Sequence, residues 1–163
     1  MLTKKLEFLF IGIIIVAIII LVNNWHSNNQ FKNNPISDKY QELISKKEQE
    51  ILYNMQQHYN IRFKVPLIIT DKFKDKLYGA TTYRNGKIKI YLNKNVMQES
   101  MDYMIDSVIA HEYAHALMFK MGPHNHNSDG HSDKWKEVCT NLGGINCERY
   151  VDREEIIMSK MPF

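Results

Sequence analysis

The sequence is short of the residues that several kinds of chemistry require. Two cysteines, Cys139 and Cys147, in 163 residues are too few for a paired-cysteine zinc ribbon and allow at most one disulfide. Seven glycines are scattered, so no phosphate-binding glycine loop is present, and the chain has no internal repeat. Excess charge of one sign is scarce as well. Lys and Arg number 21 against 18 Asp and Glu, a formal charge of +3, and two of these lysines, Lys4 and Lys5, precede the apolar N-terminal run. The remainder is near neutral, which disfavours nucleic acid as a partner. Lys64, Lys87, Lys89 and Lys94 are the candidates for a basic strip, and lysines that keep a sheet edge from pairing are the simpler reading. With 44% hydrophobic and 24% charged residues, the composition fits one globular domain plus an apolar segment.

That segment runs from Phe8 to Val22 without a polar residue. Its length lies at the lower limit for crossing a bilayer and within the range of a signal-peptide core. No small-x-small cleavage pair follows it, and Trp25 suits a membrane interface. An uncleaved signal anchor over residues 1–22 is therefore expected, making the protein single-pass. Lys4 and Lys5 before the span, with only Lys32 shortly after it, place the N-terminus in the cytoplasm and the domain on the non-cytoplasmic side. Residues 23–37, rich in Asn and Ser with Pro35, read as a flexible tether. Residues 38–163 are left as the folded domain.

Within the domain, Tyr40, Leu43, Ile44, Ile51, Leu52, Met55 and Tyr59 keep helical spacing after Asp38. Ile61 to Thr70 alternates and then runs apolar, with Pro66 suggesting an edge or a bulge. Asn85-Gly86 is a hairpin signal, followed by alternating Ile88, Ile90 and Leu92. Three strands beside helices make an α+β fold.

The segment His111-Glu112-Tyr113-Ala114-His115 lies inside an apolar helical pattern formed by Met101, Met104, Ile105, Val108, Ile109 and Ala116. Gly122 and Pro123 stop that helix, and Asn95 and Ser100 are both acceptable N-caps. Residues four apart share a helix face, so His111 and His115 can offer two imidazole nitrogens to one tetrahedral ion. Glu112 beside them is suited to take a proton from water and hand it to a leaving amine. This pattern is the minimal apparatus of a zinc-dependent peptidase.

A third ligand must come from elsewhere. Three histidines follow in a turn-rich loop, His124, His126 and His131, and Glu137 is the nearest acid on a later helix. Met118 and Met121 stand where a metzincin would need Gly and His, which excludes that class. His131 is favoured because Ser132 can cap a helix whose apolar stripe is Trp135, Val138, Cys139 and Leu142, and a ligand held at a helix start loses less entropy than one adrift in a loop. His124 and His126 read as solvated loop residues. The His-rich loop or Tyr113 is a candidate for helping an oxyanion. Cys139, on the apolar stripe, reads as core rather than as a nucleophile, and in an oxidising compartment it would be available to pair with Cys147.

The run Asp106 to Leu117, followed by Gly130-His131-Ser132-Asp133-Lys134-Trp135 and the pair Leu142-Gly143, resembles the SprT-like zinc metalloprotease domain. Tyr78 to Tyr83 and Ile88 to Asn93 are similar to the strand pair that precedes the helix in that family. The resemblance extends over about Asp38 to Cys147. It implies a zincin-like fold, Zn2+ as cofactor, His111, His115 and His131 as ligands, Glu112 as catalytic acid/base, and a protein or peptide substrate. The zinc ribbon of many relatives is not expected, and a membrane-anchored form is. Two other readings are a SprT-like protease acting on DNA-associated proteins and a noncatalytic, zinc-stabilised binding module.

Overall fold

A computed structural model describes residues 2–73, 77–122 and 130–148. The chain divides into two compact units, Met1–Ile36 and Ser37–Phe163. The first is a single helix, α1 (Leu2–Asn33). Its apolar side chains from Leu6 to Val22 are all exposed, whereas a core helix of a water-soluble domain would bury them. A helix of this length and composition could be a membrane anchor or a signal sequence.

The helix does not stop at Val22. It continues over most of the segment read as a tether, because no Pro or Gly interrupts the backbone between Val22 and Pro35. Its polar end is also laced by side-chain bonds four residues apart: His26 with Gln30 (3.2 Å), Asn33 Nδ2 to Asn29 (3.0 Å) and Asn34 Nδ2 to Gln30 (3.5 Å). Composition signalled a loop, and local pairing supports a helix instead.

The second unit opens with α2 (Asp38–Tyr59), which ends where Asn60 turns left-handed at φ 52°. Its inner face buries Ile44, Ile51, Leu52 and Met55, and with them Lys47 and Glu48. Each charge is matched. Lys47 Nζ donates to the Gly143 carbonyl and to Glu50, both at 3.0 Å. Glu48 accepts from Lys64 at 2.9 Å and from the Tyr113 hydroxyl at 2.7 Å.

Three strands follow, β1 (Leu67–Thr70), β2 (Gly79–Arg84) and β3 (Lys87–Asn93), in the order β1-β3-β2. Residues 61–66, expected to be strand, have no ladder, and β1 begins directly after Pro66, on an edge as that proline suggested. β1 runs parallel to β3, with Leu67 opposite Ile90 and Ile69 opposite Leu92. β2 and β3 form the anticipated hairpin. Asn85 and Gly86 both take positive φ, 52° and 74°, as a two-residue type I′ turn requires. The register pairs Gly79 with Leu92, Thr81 with Ile90 and Tyr83 with Ile88. These residues share one sheet face; Thr82, Arg84, Lys87, Lys89 and Tyr91 share the other.

Asn93 ends β3 and caps α3 (Lys94–Glu99) by accepting from the Asn95 N–H at 3.0 Å. After Ser100 the chain turns into a run of 21 residues in three pieces: α4 (Met101–Tyr103), a π-helical stretch (Met104–Val108) and α5 (Ile109–Met121). The periodicity had suggested one uninterrupted helix. The wider π turn moves the face that α5 presents, immediately before His111. Gly122, at φ 109°, closes the run. Last comes α6 (Asp133–Asn141), capped by Ser132 Oγ, which accepts from the Trp135 N–H at 3.3 Å. Trp135, Val138, Cys139 and Leu142 are buried as the stripe implied. Cys139 and Cys147 form a disulfide with Cα atoms 5.8 Å apart.

Candidate metal centre

Two helices bring three imidazoles to one point. His111 and His115 stand one turn apart on α5, and His131 enters from the residue before the α6 cap. His131 Nε2 lies 3.2 Å from His115 Nε2 and 3.2 Å from His111 Nε2. Ligand atoms of all three fall within 4.8 Å of one another. Trp135 on α6 packs against the whole set, its ring centroid 4.6 Å from His111, 5.1 Å from His115 and 4.5 Å from His131. The indole is buried, and its N–H has no hydrogen-bond partner among the described residues.

The arrangement favours neutral rings. Burial, with the neighbouring His131 adding to it, holds His111 down at about 4. Burial, then His111 and His131, holds His115 down at about 3. A neutral imidazole keeps a lone pair free for a cation. Three Nε2 atoms turned toward one another cannot all be satisfied by mutual hydrogen bonds, since a neutral ring nitrogen is either donor or acceptor. Nitrogens about 2.0–2.1 Å from a tetrahedral zinc stand about 3.3 Å apart, which matches both 3.2 Å spacings. The donor set therefore fits a metal ion.

Glu112, next to His111 on α5, lies against β2. Its side chain is almost wholly buried, and Thr81 Oγ1 lies 2.7 Å from Oε2 and 2.8 Å from the Glu112 backbone oxygen. Burial raises the carboxyl to about 7, with the Thr81 hydrogen bond acting in the opposite sense. Such a group exchanges protons near neutrality. Room for it exists because residue 79 is glycine: a Cβ there would stand 2.7 Å from Oε1 and 2.9 Å from Cγ of Glu112. Neither Thr81 nor Gly79 was singled out from the sequence as part of the site. A glycine at the start of a strand, where backbone and side chain can approach closely, is the signal that could have drawn attention.

Other expectations fall differently. Tyr113 is fully buried on the α2 side, where its hydroxyl donates to Glu48 and accepts from the Val65 N–H at 3.4 Å. It is a packing residue and is not available to an oxyanion, because successive helix residues point about 100° apart. Glu137 is exposed and paired with Lys134 at 2.9 Å, away from the imidazoles. His124 and His126 lie outside the described residues. Lys64 is tied to Glu48, while Lys87 and Lys89 join Arg84 and Tyr91 around a shallow cleft on the sheet face turned away from α5.

A small α+β domain that gathers three neutral imidazoles beside a buried carboxyl belongs to the class of candidate metal-binding domains. The SprT-like family model matches residues 40–154, and the chain belongs to the SprT-like family, which is associated with metalloprotease activity. No curated protein matches the chain. No solved structure matches it either.

Proposed function

We propose that this protein is a zinc-dependent endopeptidase of zincin type that hydrolyses peptide bonds in protein substrates. The observation that carries this reading is the convergence of His111, His115 and His131 on the helix that also bears Glu112. These three residues would hold the ion, and Trp135 would keep their rings in place. A bound zinc supplies Lewis acidity, polarising a carbonyl and acidifying a water molecule. Glu112 would then take the proton of the attacking water and deliver it to the leaving amine. β2 is an edge strand, and an extended peptide laid along it would gain main-chain hydrogen bonds with little demand on sequence.

The same reading takes α1 as a membrane anchor and sets the domain on the non-cytoplasmic side. The Cys139–Cys147 disulfide supports this, since such bonds persist in oxidising compartments and are rare in the cytosol of mesophiles. In sealed vesicles with the cytoplasmic face outward, the domain should be protected from added protease until lysis; digestion before lysis would reverse the topology.

Full-length protein in detergent, loaded with zinc and incubated with labelled casein, tests the chemistry. Cleavage that stops with a chelator and in Glu112→Gln supports the peptidase. Zinc binding with no cleavage of any unfolded protein, and no effect of Glu112→Gln, would leave a zinc-stabilised binding module.

A further inference from the structure

We propose that Thr81 is a positioning residue for Glu112, its hydroxyl fixing the orientation of the carboxyl in the gap that Gly79 leaves. The inference deepens the peptidase reading and rests on it for the task of the carboxyl. The contacts themselves are independent of that reading.

A glutamate side chain has three rotatable bonds and is mobile unless its tip is held. Thr81 Oγ1 lies within hydrogen-bond distance of both ends of the residue, 2.7 Å from Oε2 and 2.8 Å from the backbone oxygen, and its single hydrogen can serve either. The hydroxyl is itself aimed. Threonine is β-branched and restricted at χ1, and Thr81 sits in the middle of β2, paired with Ile90 in the sheet. On the opposite flank, Oε1 rests against Gly79, whose missing Cβ leaves the only space it needs. A hydroxyl carries one hydrogen and two lone pairs. It can donate to the ionised carboxylate, or turn its hydrogen to the backbone carbonyl and accept from the protonated acid, with the heavy atoms unmoved. One rotating O–H thus keeps the proton carrier in place on both sides of a transfer.

The test compares full-length wild type, Thr81→Val and Thr81→Ser in detergent after zinc loading. Zinc content and thermal midpoint are measured first. Acetohydroxamate, which chelates zinc and hydrogen-bonds to a carboxylate beside it, is then titrated calorimetrically, and casein cleavage gives kcat and KM. Thr81→Val is expected to keep its zinc and its midpoint, bind acetohydroxamate about 10-fold more weakly, and lose about 10-fold or more in kcat with KM little changed, the scale of one charge-assisted hydrogen bond. Thr81→Ser should recover most of both. Unchanged hydroxamate affinity and kcat in Thr81→Val would overturn the proposal, as would loss of zinc or a Thr81→Ser variant as impaired as Thr81→Val. If wild type cleaves nothing, the peptidase reading fails, while the hydroxamate titration still decides Thr81 by the same comparison.

Discussion

Gly79 and Glu112 fit together only because one of them has no side chain: a Cβ on Gly79 would lie 2.7 Å from Oε1 of Glu112. The backbone at Gly79 has no positive φ, so the constraint is one of space and not of conformation. Glu112 cannot simply swing aside, being buried on β2 with Thr81 on its other oxygen.

Gly79→Ala should therefore displace the carboxyl while leaving the imidazoles assembled. Overpacking of this kind costs about 1–3 kcal/mol. Calorimetry should show a lower midpoint, zinc content should be retained, and casein cleavage should fall steeply. A variant with wild-type stability and turnover would show that the contact has no consequence.

Removing His131 separates the three-ligand arrangement from a two-ligand one. After dialysis, wild type should hold about one zinc per chain, as a single tetrahedral site does, and His131→Ala should hold much less. Glu137→Ala should match wild type, because that carboxylate is exposed and paired with Lys134. Full retention in His131→Ala would move the metal away from this cluster.

In the metal-free protein, acid should unfold the domain through these same rings. His111 and His115 ordinarily titrate at 6.5, and in the folded chain at about 4 and about 3. Below pH 6.5 the unfolded chain takes up protons that the folded chain refuses, so stability is lost progressively down to those folded values. Glu112 acts with the opposite sign. Its folded value, about 7 against an ordinary 4.5, contributes stability that is complete below 4.5 and gone once the pH passes 7. Two histidines outweigh one carboxyl between 4.5 and 6.5, and the two effects balance near neutrality, so the melting temperature of chelator-treated protein should climb from acid pH to a maximum close to pH 7. In Glu112→Gln the rise between pH 4.5 and 7 should be steeper, because the opposing contribution of the carboxyl is gone. A flat profile would place these groups in water.

The Cys139–Cys147 crosslink closes a short loop, with a sequence separation of 8, at the end of the helix that carries Trp135. Chain-entropy reasoning gives about 2–3 kcal/mol for a loop of this size. Dithiothreitol should lower the thermal midpoint accordingly, with two alkylatable thiols appearing by mass. Two free thiols in protein isolated without reductant would remove the support that the disulfide lends to a non-cytoplasmic domain.

Much of this was local and therefore legible. The hairpin follows from two residues that tolerate positive φ, Asn85 and Gly86. The pairing of His111 with His115 follows from helix pitch, and the α6 cap from Ser132. The length of α1 misled because Asn and Ser signalled a loop, while side-chain pairs four apart carried the helix on to Asn33.

By itself the sequence determined the β2–β3 hairpin, the start of α6 and the shared face of His111 and His115 on α5, since each depends on neighbours within a few residues. Tertiary structure alone decided three further things. It turned Tyr113 inward to Glu48, 65 residues away in the chain. It brought His131, just ahead of α6, to within 3.2 Å of both His111 and His115. It set Gly79 and Thr81 of β2 around Glu112. Each of these depends on how helices and sheet pack, and packing joins residues whose separation along the chain carries no local signal.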